Sequence, residues 1–448
     1  MSFPTDRHSR TKTVIITGGI LNGYCASKYG YRPVMFVALG FLTALIFITF
    51  FANSAAVLLT GQVLCGLSWG VFATIGPAYA SEVCPTVLRG YLTIYVNLCW
   101  AIGQLIASGV LYGLVDRKDQ WGYRIPFGLQ WIWPVPLMVI CWLAPESPWW
   151  LVRHDRLEDA KRSIRRLGGS KTEDQINGQL AMMVHTIKLE AEIEAGTTYY
   201  DCFKGVDLRR TEICCMAFVG QILSGSTFAY SPTYFFTQAG LPVTRSFQLG
   251  VGCTAIAFVG TCFSWWLITG FGRRTLYVVG QGMLCATLFL IGILDVSSSA
   301  NGIMWAQAGL CFFWLLTYSL TVGPIAYAIV SETSSVRLRP LTVCVARTAY
   351  QIINVVSQVL EPYFMNPTAW NASGKTGFFW GATALVAFVW AFFRLPEAKD
   401  RTYAELDILF ASKIKASKFS STVVDPYAIR PAESQEGLVR EKTQDTNQ

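Results

Sequence analysis

Long apolar runs separated by short polar loops constrain this chain more than any other feature. Ten runs are long enough to cross the ~30 Å hydrocarbon core of a bilayer as α-helices. They cover residues 33–52, 55–80, 91–115, 125–144, 212–237, 246–270, 275–296, 303–330, 341–365 and 376–395. A shorter apolar stretch, Thr13 to Ala26, comes first and reaches only about 21 Å as a helix. The pattern predicts an all-α, multi-pass membrane protein.

Composition narrows the possible functions. The chain is 52% hydrophobic and 14% charged, whereas soluble domains carry about 25% charged residues. Nucleic acid is not an expected partner, because no basic stretch is interleaved with exposed aromatic residues. The three histidines, His8, His154 and His185, lie in polar segments, and the sequence contains no nucleophile elbow, phosphate loop or metal cluster. We therefore expect no catalytic residues, no metal and no cofactor, and a membrane enzyme is disfavoured.

Basic residues assign the two sides of the membrane, since loops rich in Lys and Arg face the cytoplasm. One set of alternating loops, together with the tail from residue 394, carries 27 of the 36 basic residues, and the opposite set carries five. Eleven alternating segments place the N-terminus outside, with Arg7, Arg10 and Lys12 on the side that basic residues avoid. A further span upstream would restore the alternation.

An internal repeat relates the two halves of the chain. Glu82 is followed seven residues later by Arg89, and Glu332 is followed seven residues later by Arg339; the two copies are 250 residues apart. Two further pairs recur in the same order, Gly30-Tyr31-Arg32 with Gly272-Arg273-Arg274 and Pro145-Glu146 with Pro396-Glu397. Each copy falls at the cytoplasmic end of a span. Two parallel bundles of this kind can rock around a site at the membrane midplane.

At these residues the chain resembles the sugar porter family of the major facilitator superfamily, from about Gly18 to Phe410. The resemblance rests on GYCASKYGYR (23–32), Ser81-Glu82 with Arg89-Gly90, PESPWWL (145–151), Gly272-Arg273-Arg274, GPIAYAIVSE (323–332) and PEAKDRTYAELD (396–407). Within the family it most resembles fungal α-glucoside (maltose) permeases. That likeness rests on WGYRIPFGLQWIWP (121–134), PESPWW and VCVARTAYQIIN (343–354).

The resemblance implies the two-bundle major facilitator fold, with about 11 of its 12 helices: the first helix is missing and the second is shortened. The expected domains are an incomplete N-terminal bundle (1–144), cytoplasmic linker helices (145–211), a six-helix C-terminal bundle (212–395) and a cytoplasmic tail (396–448). Proton-coupled members carry an acidic residue on the first helix, and no position here matches it. Ser27 stands where the family has Asp, so this loop lacks the acidic partner for the family's charge pairing.

The resemblance also implies a set of sugar-binding positions. A sugar site needs hydrogen-bonding groups at membrane depth, and polar side chains within spans are functional candidates by default. The family's motifs place these candidates at Asn97, Gln104, Gln221, Thr227, Tyr327 and Asn354. The alternative for each is a hydrogen bond between helices that serves packing alone. Arg347, also within a span, needs a partner or a water-filled cavity unless it extends towards the cytoplasm.

Charged residues at the cytoplasmic helix ends are the expected gating elements. Glu and Arg there can pair across the two bundles and lock one arrangement, then release in the other. The set comprises Glu82, Arg89, Glu332, Arg339, Arg32, Arg273, Arg274, Glu146 and Glu397. The alternative is that they only determine topology and extend into the interface.

The expected function is transport of sugars, α-glucosides such as maltose, across the plasma membrane by alternating access. Its partners are the sugar, the lipid bilayer and, in intact relatives, co-transported protons. The alternative is a non-transporting sugar sensor or an inactive, truncated transporter.

Overall fold

The computed structural model describes most of the chain from Tyr24 onward. The described residues are 24–83, 86–117, 119–169, 172–194, 199–229, 237, 241–297, 301–335, 338–366, 369–370, 372–399, 401, 403–419, 422–424 and 439–441. The short apolar stretch expected at Thr13 to Ala26 lies largely outside them.

The described membrane part of the chain is built from α-helices. The α-helices are α1 (Tyr31–Phe50), α2 (Ala55–Val83), α3 (Thr86–Gly113), α4 (Trp121–Leu129), α5 (Pro134–Leu143), α6 (Pro148–Arg153), α7 (Leu157–Gly168), α8 (Glu173–Glu194), α9 (Gly205–Leu223), α10 (Ser226–Ala229), α11 (Val243–Gly270), α12 (Arg273–Ser297), α13 (Asn301–Leu320), α14 (Val322–Thr333), α15 (Arg339–Met365), α16 (Thr376–Arg394) and α17 (Tyr403–Ala411).

Short elements complete the inventory. Single 3-10 turns cover Gln130–Ile132, Tyr199–Phe203, Ser373–Lys375 and Ala416–Lys418. Two three-residue strands in the tail, β1 (Thr422–Val424) and β2 (Val439–Glu441), pair antiparallel.

Eight helical segments of the described residues are long and apolar enough to cross a membrane. They are Tyr31–Phe50, Ala55–Ala80, Trp121–Leu143, Val243–Gly270, Arg273–Val296, Trp305–Thr333, Leu341–Met365 and Thr376–Arg394. Each coincides with a span expected from the sequence. The span expected at 91–115 is the helix α3, and the span expected at 212–237 begins as α9.

The structure interrupts two spans that the apolar pattern shows as continuous. α9 ends at Leu223, and Gly225 adopts φ +82° before the single turn of α10. This backbone conformation favours glycine, which has no Cβ. The second break lies at Thr321, between α13 and α14, where φ is −122° and ψ is −87°. Both breaks free backbone polar groups within the protein interior, which is where a membrane protein tolerates them.

The chain divides into two compact units. The first comprises Met1–Val96 and Gly109–Gly196, and the second comprises Asn97–Ser108 and Thr197–Gln448. In the first unit, α1 packs along α2 and against α4 and α5. The helices α6, α7 and α8 form a separate apolar cluster around Trp150, Ile164 and Met183.

In the second unit, the principal helix pairs are α12 with α16, α9 with α15 and α11 with α13. Its largest fully buried side chain is Trp314, whose indole N–H donates to the carbonyl of Ser224 at the first helix break (3.1 Å). The tail helix α17 belongs to the same unit, and its Phe410 is buried. This unit therefore places α9, α10, α14 and α15, which carry most of the candidate binding residues, in one folded body.

Candidate functional site

The repeated glutamates of the two halves make the same contact. In the first unit, Glu146 accepts hydrogen bonds from the backbone N–H groups of Tyr31 and Arg32, both at 3.1 Å. In the second unit, Glu397 accepts from the N–H groups of Arg273 and Arg274, at 2.8 and 3.2 Å. Each carboxylate thus caps the N-terminus of a membrane helix, where unpaired N–H groups and the helix dipole favour negative charge.

The glycine before the first of these helices makes the cap possible. Gly30 has φ +92°, and a Cβ at this position would lie 2.7 Å from the Glu146 carboxylate. A side chain there would both strain the backbone and displace the glutamate. The sequence motif Gly-x-Arg therefore has a geometric reason: glycine lets the carboxylate reach the helix end.

The glutamate of the Ser-Glu pair makes a charged contact within each unit. Glu82 accepts from the hydroxyl groups of Tyr31 (3.1 Å) and Ser147 and forms an ion pair with Arg153 (2.9 Å). Glu332 forms an ion pair with Arg273 (3.1 Å). The side chains of the repeated arginines, Arg89 and Arg339, lie outside the described residues.

The remaining cations of the gating set contact helix C-termini. Arg32 donates to the carbonyl of Trp142, at the end of α5. Arg274 donates to the carbonyl of Phe392 near the end of α16, at 2.8 Å. A guanidinium at these positions satisfies a carbonyl that has no partner within its helix and complements the helix dipole. Each unit therefore has a glutamate that caps a helix N-terminus and an arginine that binds a carbonyl near the C-terminus of another helix.

Three predicted binding positions of the second unit lie close to the two helix breaks. The Thr227 hydroxyl is 2.9 Å from the Ser357 hydroxyl, which donates to the backbone carbonyl of Asn354 at 3.0 Å. Nearby on α9, the amide nitrogen of Gln221 donates to the carbonyls of Val322 (3.3 Å) and Gly323 (2.8 Å), at the start of α14.

These residues are buried polar groups that join the two broken helices to their neighbours. Gln221 links α9 to the second break, and Thr227 links α10 to α15. Because the amide nitrogen of Gln221 is already engaged, its carbonyl oxygen is the group that can accept a hydrogen bond from a ligand. Hydroxyl and amide groups arranged in this way have the chemistry to bind the hydroxyls of a sugar.

Tyr327 and Arg347 form a second polar centre. The guanidinium of Arg347 donates to the Tyr327 hydroxyl at 3.1 Å. Its central carbon lies 4.5 Å from the ring centre of Phe218, 4.8 Å from that of Tyr327 and 5.8 Å from that of Tyr350. Aromatic faces stabilise a cation that is removed from water. Arg347 therefore has partners within the span, and it fixes the orientation of the Tyr327 hydroxyl.

The two candidates on α3 are less defined. The side chain of Asn97 lies outside the described residues, and Gln104 is half-buried. The structure places the Thr227 hydroxyl against Ser357, one turn along α15 from Asn354. It places Gln221 and Tyr327 on helices that pack against each other.

Sequence reasoning missed Glu361, an acidic side chain near the outer end of α15. Glu361 is 6% exposed, and its Oε2 atom accepts from the indole N–H of Trp380 at 2.7 Å. Its Oε1 atom is buried and has no hydrogen-bond partner among the described residues. The signal was available, since an ionisable residue inside a membrane span is a functional candidate by default.

Comparisons with known proteins agree with this architecture. Residues 10–410 match the family model described as "Sugar (and other) transporter". The maltose permease MAL61 of Saccharomyces cerevisiae is 38% identical over 436 residues, which are 96% of this chain and 71% of that protein. The general alpha-glucoside permease of the same yeast is 38% identical over 413 residues, which are 90% of this chain and 66% of that protein.

Solved structures show the same fold. The proton:xylose symporter XylE, bound to 6-bromo-6-deoxy-D-glucose, matches with a TM-score of 0.72 and 19% identity over 91% of this chain and 89% of that chain. The inward open form of XylE from E. coli matches with a TM-score of 0.67 and 20% identity, covering 90% and 88% of the two chains. The chain is a multi-pass membrane protein with the major facilitator fold, and it belongs to the sugar transporter family.

Proposed function

We propose that this chain transports α-glucosides such as maltose across the plasma membrane by alternating access, coupled to protons. The observation that carries the substrate class is 38% identity, over 96% of the chain, to a protein named as a maltose permease. A second relative of similar identity is named a general alpha-glucoside permease. The structural neighbour XylE is named as a proton:xylose symporter, which supports the proton as the coupling ion.

We propose that the sugar is held in the second unit by Gln221, Thr227, Tyr327 and Asn354, together with Asn97 and Gln104 on the part of α3 that belongs to the same unit. The support is chemical: Gln221 and Thr227 contact polar groups at the helix breaks, the Tyr327 hydroxyl is held by Arg347, and Asn354 is a buried amide one turn from Ser357. A sugar can exchange its hydrogen bonds with water for bonds to these groups at little net cost.

We propose the domain roles accordingly. Residues 1–144 form the N-terminal bundle, 145–211 link the bundles on the cytoplasmic side, 212–395 form the C-terminal bundle, and 396–448 form the cytoplasmic tail. The glutamate caps and ion pairs at Glu82, Glu146, Glu332 and Glu397 support a gating role for the repeated charges, because each holds two elements of its own unit together.

Uptake of radiolabelled maltose into proteoliposomes tests the function. We expect uptake above that of empty vesicles, increased by an inward proton gradient and abolished by a protonophore. Gln221→Ala should reduce uptake by about tenfold or more, since one hydrogen bond to a buried polar ligand contributes roughly 1–2 kcal/mol. Leu385→Ala, on the exposed face of α16, is the matched control and should leave uptake unchanged.

The outcomes separate the alternatives. Maltose binding without uptake would favour a sugar sensor. Neither binding nor uptake by a correctly folded protein would remove the transport proposal and favour an inactive transporter.

A further inference from the structure

A cavity of about 730 Å³ lies within the first unit, beside the cytoplasmic ends of α1 and α5. Four arginines line it: Arg32 from α1, and Arg156, Arg162 and Arg166 from the start and body of α7. The sugar transport proposed above uses none of the three arginines at α7. The second unit repeats the Arg32 position as Arg274. Arg156, Arg162 and Arg166 lie outside the motifs that recur in the two halves.

Few negative charges compensate these arginines. Glu146 and Asp159 are the two acidic residues that line the cavity. Both carboxylate oxygens of Glu146 are already engaged by backbone N–H groups at the start of α1. Asp159 lies between Arg156 (2.6 Å) and Arg162 (3.4 Å). Two carboxylates against four guanidinium groups leave the cavity lining with two positive charges in excess. A cavity with this balance attracts an anion.

One wall of the cavity is apolar. Phe36, Val37 and Trp142 line it, and their side chains are 45%, 69% and 68% exposed. All three lie on α1 and α5, whose segments Tyr31–Phe50 and Trp121–Leu143 are long and apolar enough to cross a membrane, so their exposed faces are available to lipid chains. The arginines and the apolar wall of the cavity meet at the ends of α1 and α5. A free phosphate would contact only the first of these surfaces, whereas a phospholipid would contact both.

The arginine geometry leaves donors for a ligand. Arg166 donates to the carbonyl of Leu143, and Arg32 donates to that of Trp142, through one terminal nitrogen each. A guanidinium has five N–H donors, so several on each side chain remain for phosphate or carboxylate oxygens. Arg162 is 73% exposed and its contact with Asp159 is long. Its guanidinium can turn towards a headgroup without breaking a strong pair.

We propose that this cavity is a binding site for an anionic phospholipid of the cytoplasmic leaflet, with the phosphate on Arg156, Arg162 and Arg166 and the acyl chains against Phe36, Val37 and Trp142. The basic side of the chain faces the cytoplasm, where anionic lipids are concentrated. Because the site joins α7 to the ends of α1 and α5, a bound lipid would hold the cytoplasmic helices against the spans.

Lipid titration of the purified full-length protein in detergent, followed by native mass spectrometry, tests the site. We expect phosphatidylserine to bind more tightly than phosphatidylcholine. The double variant Arg162→Gln with Arg166→Gln should weaken phosphatidylserine binding by about fivefold for each arginine removed, because a basic residue at an anionic surface contributes about 1 kcal/mol. Phosphatidylcholine binding should not change.

The same helix offers a matched control. Lys161 and Arg165 pair with Glu173, away from the cavity, and the Arg165 guanidinium holds the pKa of the Glu173 carboxyl below its usual value. Lys161→Gln with Arg165→Gln removes the same charge and should leave phosphatidylserine affinity within about twofold. An equal loss in both double variants would show a general charge effect and overturn the site.

A third variant is expected to bind phosphatidylserine more tightly, a result that misfolding would not produce. Asp159→Asn removes the carboxylate that competes for Arg156 and Arg162, so phosphatidylserine should bind several-fold more tightly. Unchanged or weaker binding by Asp159→Asn would contradict the proposal. Equal affinity for the two lipids would also overturn it. Displacement of phosphatidylserine by inorganic phosphate or inositol hexakisphosphate would overturn the lipid assignment and give the site to a soluble anion.

Discussion

A carboxylate buried within a membrane span is costly unless it is hydrogen-bonded, paired or protonated. Glu361 meets this requirement through one oxygen, which accepts the indole N–H of Trp380. The other oxygen has no partner among the described residues, so the site is only half satisfied. The indole is equally dependent on the carboxylate, because Trp380 is 2% exposed.

The hydrogen bond between Glu361 and Trp380 predicts how two substitutions of Glu361 should differ in their free energy of unfolding. Glu361→Ala leaves the Trp380 N–H buried without an acceptor and should lower the free energy of unfolding by roughly 1–3 kcal/mol. Glu361→Gln keeps an acceptor oxygen and removes the acid, so it should be at least as stable as the wild type. Thermal unfolding of the purified protein measures both.

A double-mutant cycle provides the control. Trp380→Phe removes the donor, and the double variant with Glu361→Ala should lose less than the sum of the two single losses, since the single variants each break the same bond. Additive losses would show that the hydrogen bond contributes nothing.

At the scale of elements, the apolar pattern of the sequence predicts where membrane helices lie, but it does not predict where their backbone is interrupted. The spans 55–80, 246–270 and 376–395 are predictable because a helix in lipid needs about 20 apolar residues and little else. The breaks at Gly225 and Thr321 are not predictable in this way. Ser224 and Ser226 flank the first and Pro324 follows the second, but small polar residues and proline also occur inside membrane helices that are not broken. The Gly30 motif was visible in the sequence, but its purpose, to admit the Glu146 carboxylate, required the geometry.

The tail helix α17 buries a charged residue whose burial could not be predicted from the sequence. Arg210, on α9, is 4% exposed and forms an ion pair with Asp407 of α17 (2.7 Å). Its guanidinium also donates to the carbonyl of Leu406 and lies 4.5 Å from the ring centre of Phe410. From the sequence, Arg210 was one of many basic residues in a cytoplasmic segment. Its burial depends on a helix far along the chain, which composition cannot reveal.

Because the buried Arg210 is paired with Asp407 of α17, we expect the tail helix to contribute to the stability of the second unit. Asp407→Asn should lower the free energy of unfolding by roughly 1–3 kcal/mol, because Arg210 would keep a buried charge with a weaker partner. Chemical unfolding in detergent measures the change. Glu405→Gln is the control on the same helix: its contact with Arg401 is 4.0 Å, and a smaller loss is expected. Equal losses would contradict a special role for Asp407.

At the scale of the whole molecule, the sequence repeat corresponds to repeated geometry. Glu146 and Glu397 cap equivalent helices, and Arg32 and Arg274 contact the carbonyls at equivalent helix ends. The sequence predicted that these positions correspond, and it predicted charge pairing. It did not predict that the glutamates would bond to backbone N–H groups, since a carboxylate near arginines suggests an ion pair first.

Sidedness is a prediction about the molecule in its membrane. The distribution of basic residues places Arg165 in the cytoplasm and Gln120 outside. A membrane-impermeant maleimide applied to intact cells should label Gln120→Cys and not Arg165→Cys, and it should label both once the cells are permeabilised. The wild type gives the background from native cysteines. Labelling of Arg165→Cys in intact cells would invert the topology.

The contact of Arg210 with the tail also has a consequence for folding during translation. Arg210 lies on the first helix of the second unit's C-terminal segment, and 196 residues separate it from Leu406. At about 5–20 residues per second, the ribosome needs roughly 10–40 s to synthesise the interval. During that time α9 carries a cation whose partner does not yet exist. Completion of the second unit is therefore tied to the end of translation, and a chain shortened before Tyr403 would retain every span and lack the contact that closes the unit.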